Sequence, residues 1–210
     1  GFQNSVISIA NVFVQTNINA FGKMAMAGCG SYAKIEGFAF LPVTCFTMAL
    51  TTFVSQNLGA KQYDRAKKGA RFGILCSVAI AELIGFVIYV AAPTLIAAFN
   101  SDPSVVHYGV MQARTIALFY FLLAFSHCIA AVLRGSGHAS IPMAVMLCVW
   151  CLFRVSYITV TVRLIPDIRV IFWAYPLTWS ISSVIFLYLF LKGKWVYGFE
   201  KSDRNPKKRG

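Results

Sequence analysis

The chain has 210 residues, of which 58% are hydrophobic and only 12% charged, with a mean hydropathy of +0.68. A water-soluble domain carries about 25% charged residues; half that fraction cannot cover a surface facing water, which excludes an ordinary soluble domain and points to an all-α protein embedded in a membrane. The net charge of +12 would suggest nucleic acid in a soluble chain. Here the basic residues gather in short gaps between apolar runs, where they set topology. No aromatic and basic residues interleave on a polar surface, so no nucleic-acid partner is expected.

Gly1 opens directly into an apolar run, with no charged n-region and no small-residue cleavage site, so residues 1–20 do not read as a signal peptide. With no initiating Met, the segment is expected to begin partway through a longer protein. A bilayer asks for spans of about 20 apolar residues. The first runs over 2–21 and is interrupted by Asn4, Ser8, Asn11, Gln15 and Asn19. Their spacing of three and four places all five on one helical stripe. A polar stripe on a membrane helix lines a cavity or bonds to a neighbouring helix; its length here favours a cavity.

Residues 22–33 are small and Gly-rich and read as a loop or close-packed turn. The second span covers 34–54, with a kink expected at Pro42. Thr44, Thr47, Thr51 and Ser55 repeat the stripe, which extends back through Phe40 to Glu36. A polar loop from Gln56 to Lys68 follows, with Asn57 and Gly59 as helix-ending residues and Gly59 expected as a left-handed cap. The third span, 69–98, holds Glu82 near its middle, a functional candidate by default for an intramembrane carboxylate.

Asn100-Ser-Asp-Pro103 carries helix-start chemistry. The fourth span, 105–133, contains Arg114 and His127; a buried histidine can carry protons near neutral pH. After the tight Arg134–His138 turn, the fifth span covers 141–162, with Arg154 near its middle, where an arginine must find a partner, a cavity or a headgroup. The sixth, 170–191, contains Pro176. A basic tail, 193–210, reads as solvated and disordered beside the membrane. Of the 19 Lys and Arg, thirteen lie between Lys61 and Arg71, at Arg134 or from Lys192 onward. With six spans these share one side, expected to be cytoplasmic together with both ends of the segment.

No phosphate loop, nucleophile elbow or zincin motif is present, so no enzyme is expected. His107, His127 and His138 lack metal-ligand spacing, so no metal is expected. The six cysteines, including the formal C-x-x-C at Cys148 and Cys151, read as structural small residues of apolar helices.

Gln56-Asn-Leu-Gly-Ala60 followed by Arg65, Ala66 and Gly69 resembles a cytoplasmic loop signature of the multidrug and toxic compound extrusion (MATE) family. Leu133-Arg-Gly-Ser-Gly137 with Pro142 resembles the second, so that Arg134, Gly135 and Gly137 join Gln56, Asn57, Gly59, Ala60 and Arg65 as signature residues. Ala25-Met-Ala-Gly28, Lys34-Ile-Glu36 and the run from Trp173 to Trp179 are similar to members from anaerobic Gram-positive bacteria. The resemblance covers nearly all of residues 1–192. It implies one six-helix lobe of a two-lobe, twelve-helix transporter, with an upstream lobe as partner, in a bacterial cytoplasmic membrane. It also implies export of drugs or organic cations by alternating access, driven by H⁺ or Na⁺ and without a cofactor. Asn4, Ser8, Asn11, Gln15, Asn19, Thr44, Thr47 and Thr51 would line the substrate path.

Some family members carry an essential carboxylate in the first helix of this lobe and another in the fourth. Here neither span contains one, so coupling would fall to the other lobe or to Glu36, Glu82 or His127. Two other readings remain. A flippase for lipid-linked sugars, from the related superfamily, should show several cations along its path, and these stripes are neutral apart from Glu36. A non-transporting scaffold has no need of polar stripes deep in the bilayer.

Overall fold

In lipid, a chain must satisfy its backbone hydrogen bonds internally, and a helix does so within a single segment. The computed structural model describes residues 2–192 and 195–196, and every regular element among them is helical. Six long helices lie among the described residues: α1, Phe2–Asn19; α2, Lys23–Gly59; α3, Tyr63–Phe99; α4, Pro103–Gly135; α5, Ser140–Leu164; and α6, Ile168–Leu191. All but α1 are long and apolar enough to cross a membrane. The polar stripe accounts for the exception, because it dilutes the apolar content of α1.

Two expected loops are helical instead. Residues 23–33 are the first turns of α2, a helix of 37 residues. Its glycines serve contact rather than chain reversal: a Cβ on Gly28 would lie 2.6 Å from the Val105 carbonyl oxygen and 2.8 Å from the Gly109 nitrogen of α4. Small residues allow this kind of backbone approach in membrane bundles. The turn proper is at Gly22, with φ +107°.

Likewise, Gln56–Gly59 belongs to α2, and only residues 60–62 separate it from α3. The left-handed residue is Lys61, with φ 60°, and not Gly59. The Gln62 N–H bonds the Asn57 carbonyl at 2.8 Å and the Lys61 N–H bonds that of Leu58 at 3.1 Å, the pattern of a Schellman stop. The second signature loop is built the same way: Gly137 has φ 85°, the His138 N–H bonds the Leu133 carbonyl at 2.9 Å, and the Gly137 N–H bonds that of Arg134 at 3.1 Å. Both motifs are thus helix stops. Gly135 has a further task, since a Cβ there would meet the Thr51 carbonyl oxygen at 2.6 Å where α4 crosses α2.

α4 is the central helix, buried almost continuously from Leu123 to Leu133. It breaks at Ala117–Phe119, where one turn tightens to a 3₁₀ helix. Gly85 of α3 packs on this break, 2.1 Å from the Ala117 carbonyl oxygen if it carried a Cβ. α5 departs in the other direction, with a π-helical stretch over Leu147–Phe153. Asp102 and Asp167 cap α4 and α6, accepting from the Ser104 and Arg169 N–H groups at 2.9 and 3.0 Å. Most of the expected basic tail lies outside the described residues. Trp195 and Val196, assigned to it by sequence, are instead buried, with Trp195 stacked on Phe190 at 5.5 Å. Their apolar side chains pack on the end of α6 rather than remaining solvated.

Candidate functional site

Helices α1, α2, α4, α5 and α6 enclose a cavity of about 310 Å³. Asn11 and Gln15 of α1 line it and are themselves exposed; Glu36 and Phe40 of α2 and His127 of α4 also line it. The remaining wall is Trp150, Cys151 and Arg154 from the π-helical part of α5 and its end, with Tyr175 and Trp179 of α6. A π turn inserts an extra residue into the helical register, and such turns recur at functional sites.

A second, smaller hollow shares Phe40, Leu123 and His127 with the first and adds Thr44 and Thr47. A third, opening beside Arg134, shares Thr47 and adds Thr51. The α2 stripe from Glu36 to Thr51 therefore runs along three adjoining hollows. Its hydroxyl protons are committed to the helix: Thr44 donates to the Phe40 carbonyl at 3.0 Å, Thr47 to that of Thr44 at 2.7 Å, and Thr51 to that of Thr47 at 2.8 Å. What these residues offer the hollows is oxygen lone pairs. Gln15 donates one amide N–H to Asn19 Oδ1 at 2.8 Å, leaving its second N–H and its carbonyl oxygen for a solute.

The α1 stripe divides. Asn11 and Gln15 reach the cavity, whereas Asn4, Ser8 and Asn19 are exposed without lining it. The Ser8 hydroxyl donates to the Asn4 carbonyl at 2.8 Å. Glu82 also lies apart. It faces the break in α4, where its carboxyl accepts from the Phe121 backbone N–H. A helix start leaves such donors unmatched, and the 3₁₀ turn creates a new start inside α4. The His127 ring packs edge-on to Trp150 at 5.2 Å.

Sequence reasoning flagged Arg154 as needing a partner but did not place it in the site, and it missed Trp150, Tyr175 and Trp179. The mid-span arginine was the available signal. Trp150 lies one turn before it on α5, but Thr178 and Tyr175 sit more than twenty positions away on α6, beyond any local periodicity. Arg154 Nη2 donates to the Thr178 hydroxyl at 2.7 Å, and its guanidinium lies 4.4 Å from the Tyr175 ring centre and 5.5 Å from that of Trp150. Trp150 Nε1 donates in turn to Ser182 at 2.7 Å. Among the described residues, no three of His, Cys, Asp and Glu come together as a metal-holding group.

The MatE family model matches residues 1–159. A probable multidrug resistance protein NorM from Thermotoga maritima is 25% identical over 206 residues, covering 92% of this chain and 41% of that protein. YoeA, a probable multidrug resistance protein of Bacillus subtilis, is 23% identical, covering 67% of this chain and 30% of the relative. The chain thus spans less than half the length of these relatives. Among solved structures, a MOP superfamily transporter from Pyrococcus furiosus superposes with a TM-score of 0.84 over 90% of this chain and 42% of its own; at 18% identity this shows a shared fold.

Proposed function

The chain belongs to the MatE family, whose members are transporters rather than enzymes, and from that premise we propose that it forms one lobe of an exporter of drugs and related small organic cations, driven by inward movement of H⁺ or Na⁺. A second six-helix lobe of the same protein completes the substrate path. The basic turns at Lys61–Arg71 and Arg134 face the cytoplasm of a bacterial cell. The observation that carries the reading is the line of hollows beside α2, polar from Glu36 to Thr51 within an otherwise apolar bundle. Lipid-facing helices gain nothing from such a stripe, whereas a path for a polar solute requires one.

The chemistry along the path suits weak, exchangeable binding of a positively charged solute. Thr44, Thr47 and Thr51 present acceptors, their protons being held by the protein itself, and Gln15 adds its carbonyl oxygen. Glu36 supplies a carboxyl at one end. Of the three coupling candidates, Glu36 and His127 border the cavity; Glu82 does not. Coupling therefore falls to Glu36 or His127 within this lobe. The test is dye efflux from cells lacking their own exporters, carried out with the complete protein that contains this chain. Gln15→Leu combined with Thr47→Val should slow efflux about tenfold, the effect of removing one or two polar contacts. Efflux unchanged by the double substitution would remove these hollows from the substrate path.

A further inference from the structure

The outer face of α3 changes character along its length. Arg65, Lys68, Phe72, Leu75 and Ala79 follow at intervals of three, four, three and four, all of them exposed. Residues so spaced share one side of a helix. Phe72 and Leu75 are 71% and 69% exposed, which suits acyl chains and not water. Arg71 is exposed beside Phe72, three positions after Lys68. One helical face thus passes from cations to apolar side chains within about a turn, as a surface does where it leaves the headgroup layer for hydrocarbon.

The charge at this junction exceeds what the turn itself neutralises. Residues 61–71 hold Lys61, Arg65, Lys67, Lys68 and Arg71 against a single acid, Asp64. Asp64 lies in the first turn of α3, where an acid complements the helix dipole. Arg65 is held in place by stacking: its guanidinium lies 6.0 Å from the centre of the Phe53 ring of α2. That ring is seated against Gly69, where a Cβ would run into it. Stacking occupies the face of a guanidinium and leaves its planar fork of donors for an anion. Among the described residues, no hydrogen bond or ion pair engages the side chains of Arg65, Lys68 or Arg71. Arg65 and Arg71 are about 9 Å apart along the helix axis, with Lys68 between them. Their stems can lie on the apolar surface while the charges reach the headgroup layer.

We propose that this face of α3 binds an anionic phospholipid of the leaflet beside the α2–α3 turn. The phosphodiester meets Arg65, Lys68 and Arg71, and the acyl chains lie along Phe72, Leu75 and Ala79. Guanidinium pairs with phosphate in two hydrogen bonds. A choline headgroup carries its own cation, which competes for the phosphate; a glycerol headgroup does not. A nucleic acid or an acidic protein could use the three charges but gains nothing from Phe72 and Leu75, which continue the same stripe. Neither the transported solute nor the coupling ion enters this site.

Dioleoyl phosphatidylglycerol and dioleoyl phosphatidylcholine provide the test, since they share chains and phosphate. The complete purified protein is titrated with each in detergent, and native mass spectrometry reads the lipid retained. Phosphatidylglycerol should bind about tenfold or more tightly, as expected when several basic residues lie near one anionic headgroup. Arg65→Gln with Arg71→Gln should bring the two lipids to within about twofold of each other. Lys207→Gln with Lys208→Gln removes the same charge from elsewhere in the chain and should leave the preference intact. Arg65→Lys with Arg71→Lys keeps the charge and should retain most of the preference, which separates loss of recognition from loss of fold. Glycerol phosphate, which has the headgroup without the chains, should not displace the bound lipid even in large excess. Equal binding of the two lipids overturns the proposal. So does an equal loss from either pair of Gln substitutions, which would mean diffuse attraction to basic residues at large. Displacement by glycerol phosphate would also overturn it, in favour of a soluble anion.

Discussion

Gly85 and Gly30 place opposite demands on a side chain. At Gly85 a Cβ would lie 2.1 Å from the Ala117 carbonyl oxygen, a backbone atom that cannot rotate away, whereas at Gly30 nothing lies within 4 Å. Gly85→Ala should therefore cost roughly 1–3 kcal/mol, the range for forced overpacking. Gly30→Ala should be neutral or gain up to about 1 kcal/mol, since alanine favours a helix over glycine. Thermal unfolding in detergent, followed by circular dichroism, measures both. In sequence the two glycines look alike; what distinguishes them is which helix crosses behind each. The same limit hid the Arg154 site. Its charge and mid-span position were legible, but Thr178, Tyr175 and Glu36 come to it from other helices. By contrast, Thr44, Thr47 and Thr51 could be aligned from sequence because their relation is a period within one helix.

The helices depart from regularity where neighbouring side chains compensate. Just past the 3₁₀ turn at Ala117–Phe119 the Phe121 N–H meets the Glu82 carboxyl, which accepts from it. An intramembrane carboxylate invites a reading as a coupling group, yet this geometry makes it the cap of an internal helix start. Glu82→Ala should lower stability by about 1–2 kcal/mol, the range for loss of a helix cap, and leave the pH dependence of dye efflux unchanged. A shift in the pH dependence of efflux, with stability unaltered, would return Glu82 to the coupling machinery. At this scale the sequence reading erred at the ends of α2. Gly-rich and polar stretches mark loops where water can take over backbone hydrogen bonds. In a membrane bundle glycine also marks close helix contact, as at Gly28, and Asn57 stays helical by donating to the Phe53 carbonyl at 2.8 Å.

Across the whole molecule two kinds of exposed surface coexist. α3 presents Phe72, Leu75, Leu83, Phe86 and Val90, an apolar face suited to lipid. α1 presents Asn4, Ser8, Asn11, Gln15 and Asn19. The all-helical architecture was legible because bilayer thickness turns fold into a question of run length, and 12% charge leaves few alternatives. The enclosure of one cavity by five helices was not, since it depends on how α5 unwinds at Leu147–Phe153 and which way α4 bends at its break. The central claim is that this enclosure is a path open to water and solute. With the native cysteines replaced, Gln15→Cys in the complete membrane-embedded protein should react with a membrane-impermeant maleimide, and a bound cationic dye should slow that reaction severalfold. Leu83→Cys on the lipid face should stay unreactive. A thiol at position 15 as inert as the one at position 83, with and without dye, would contradict the account.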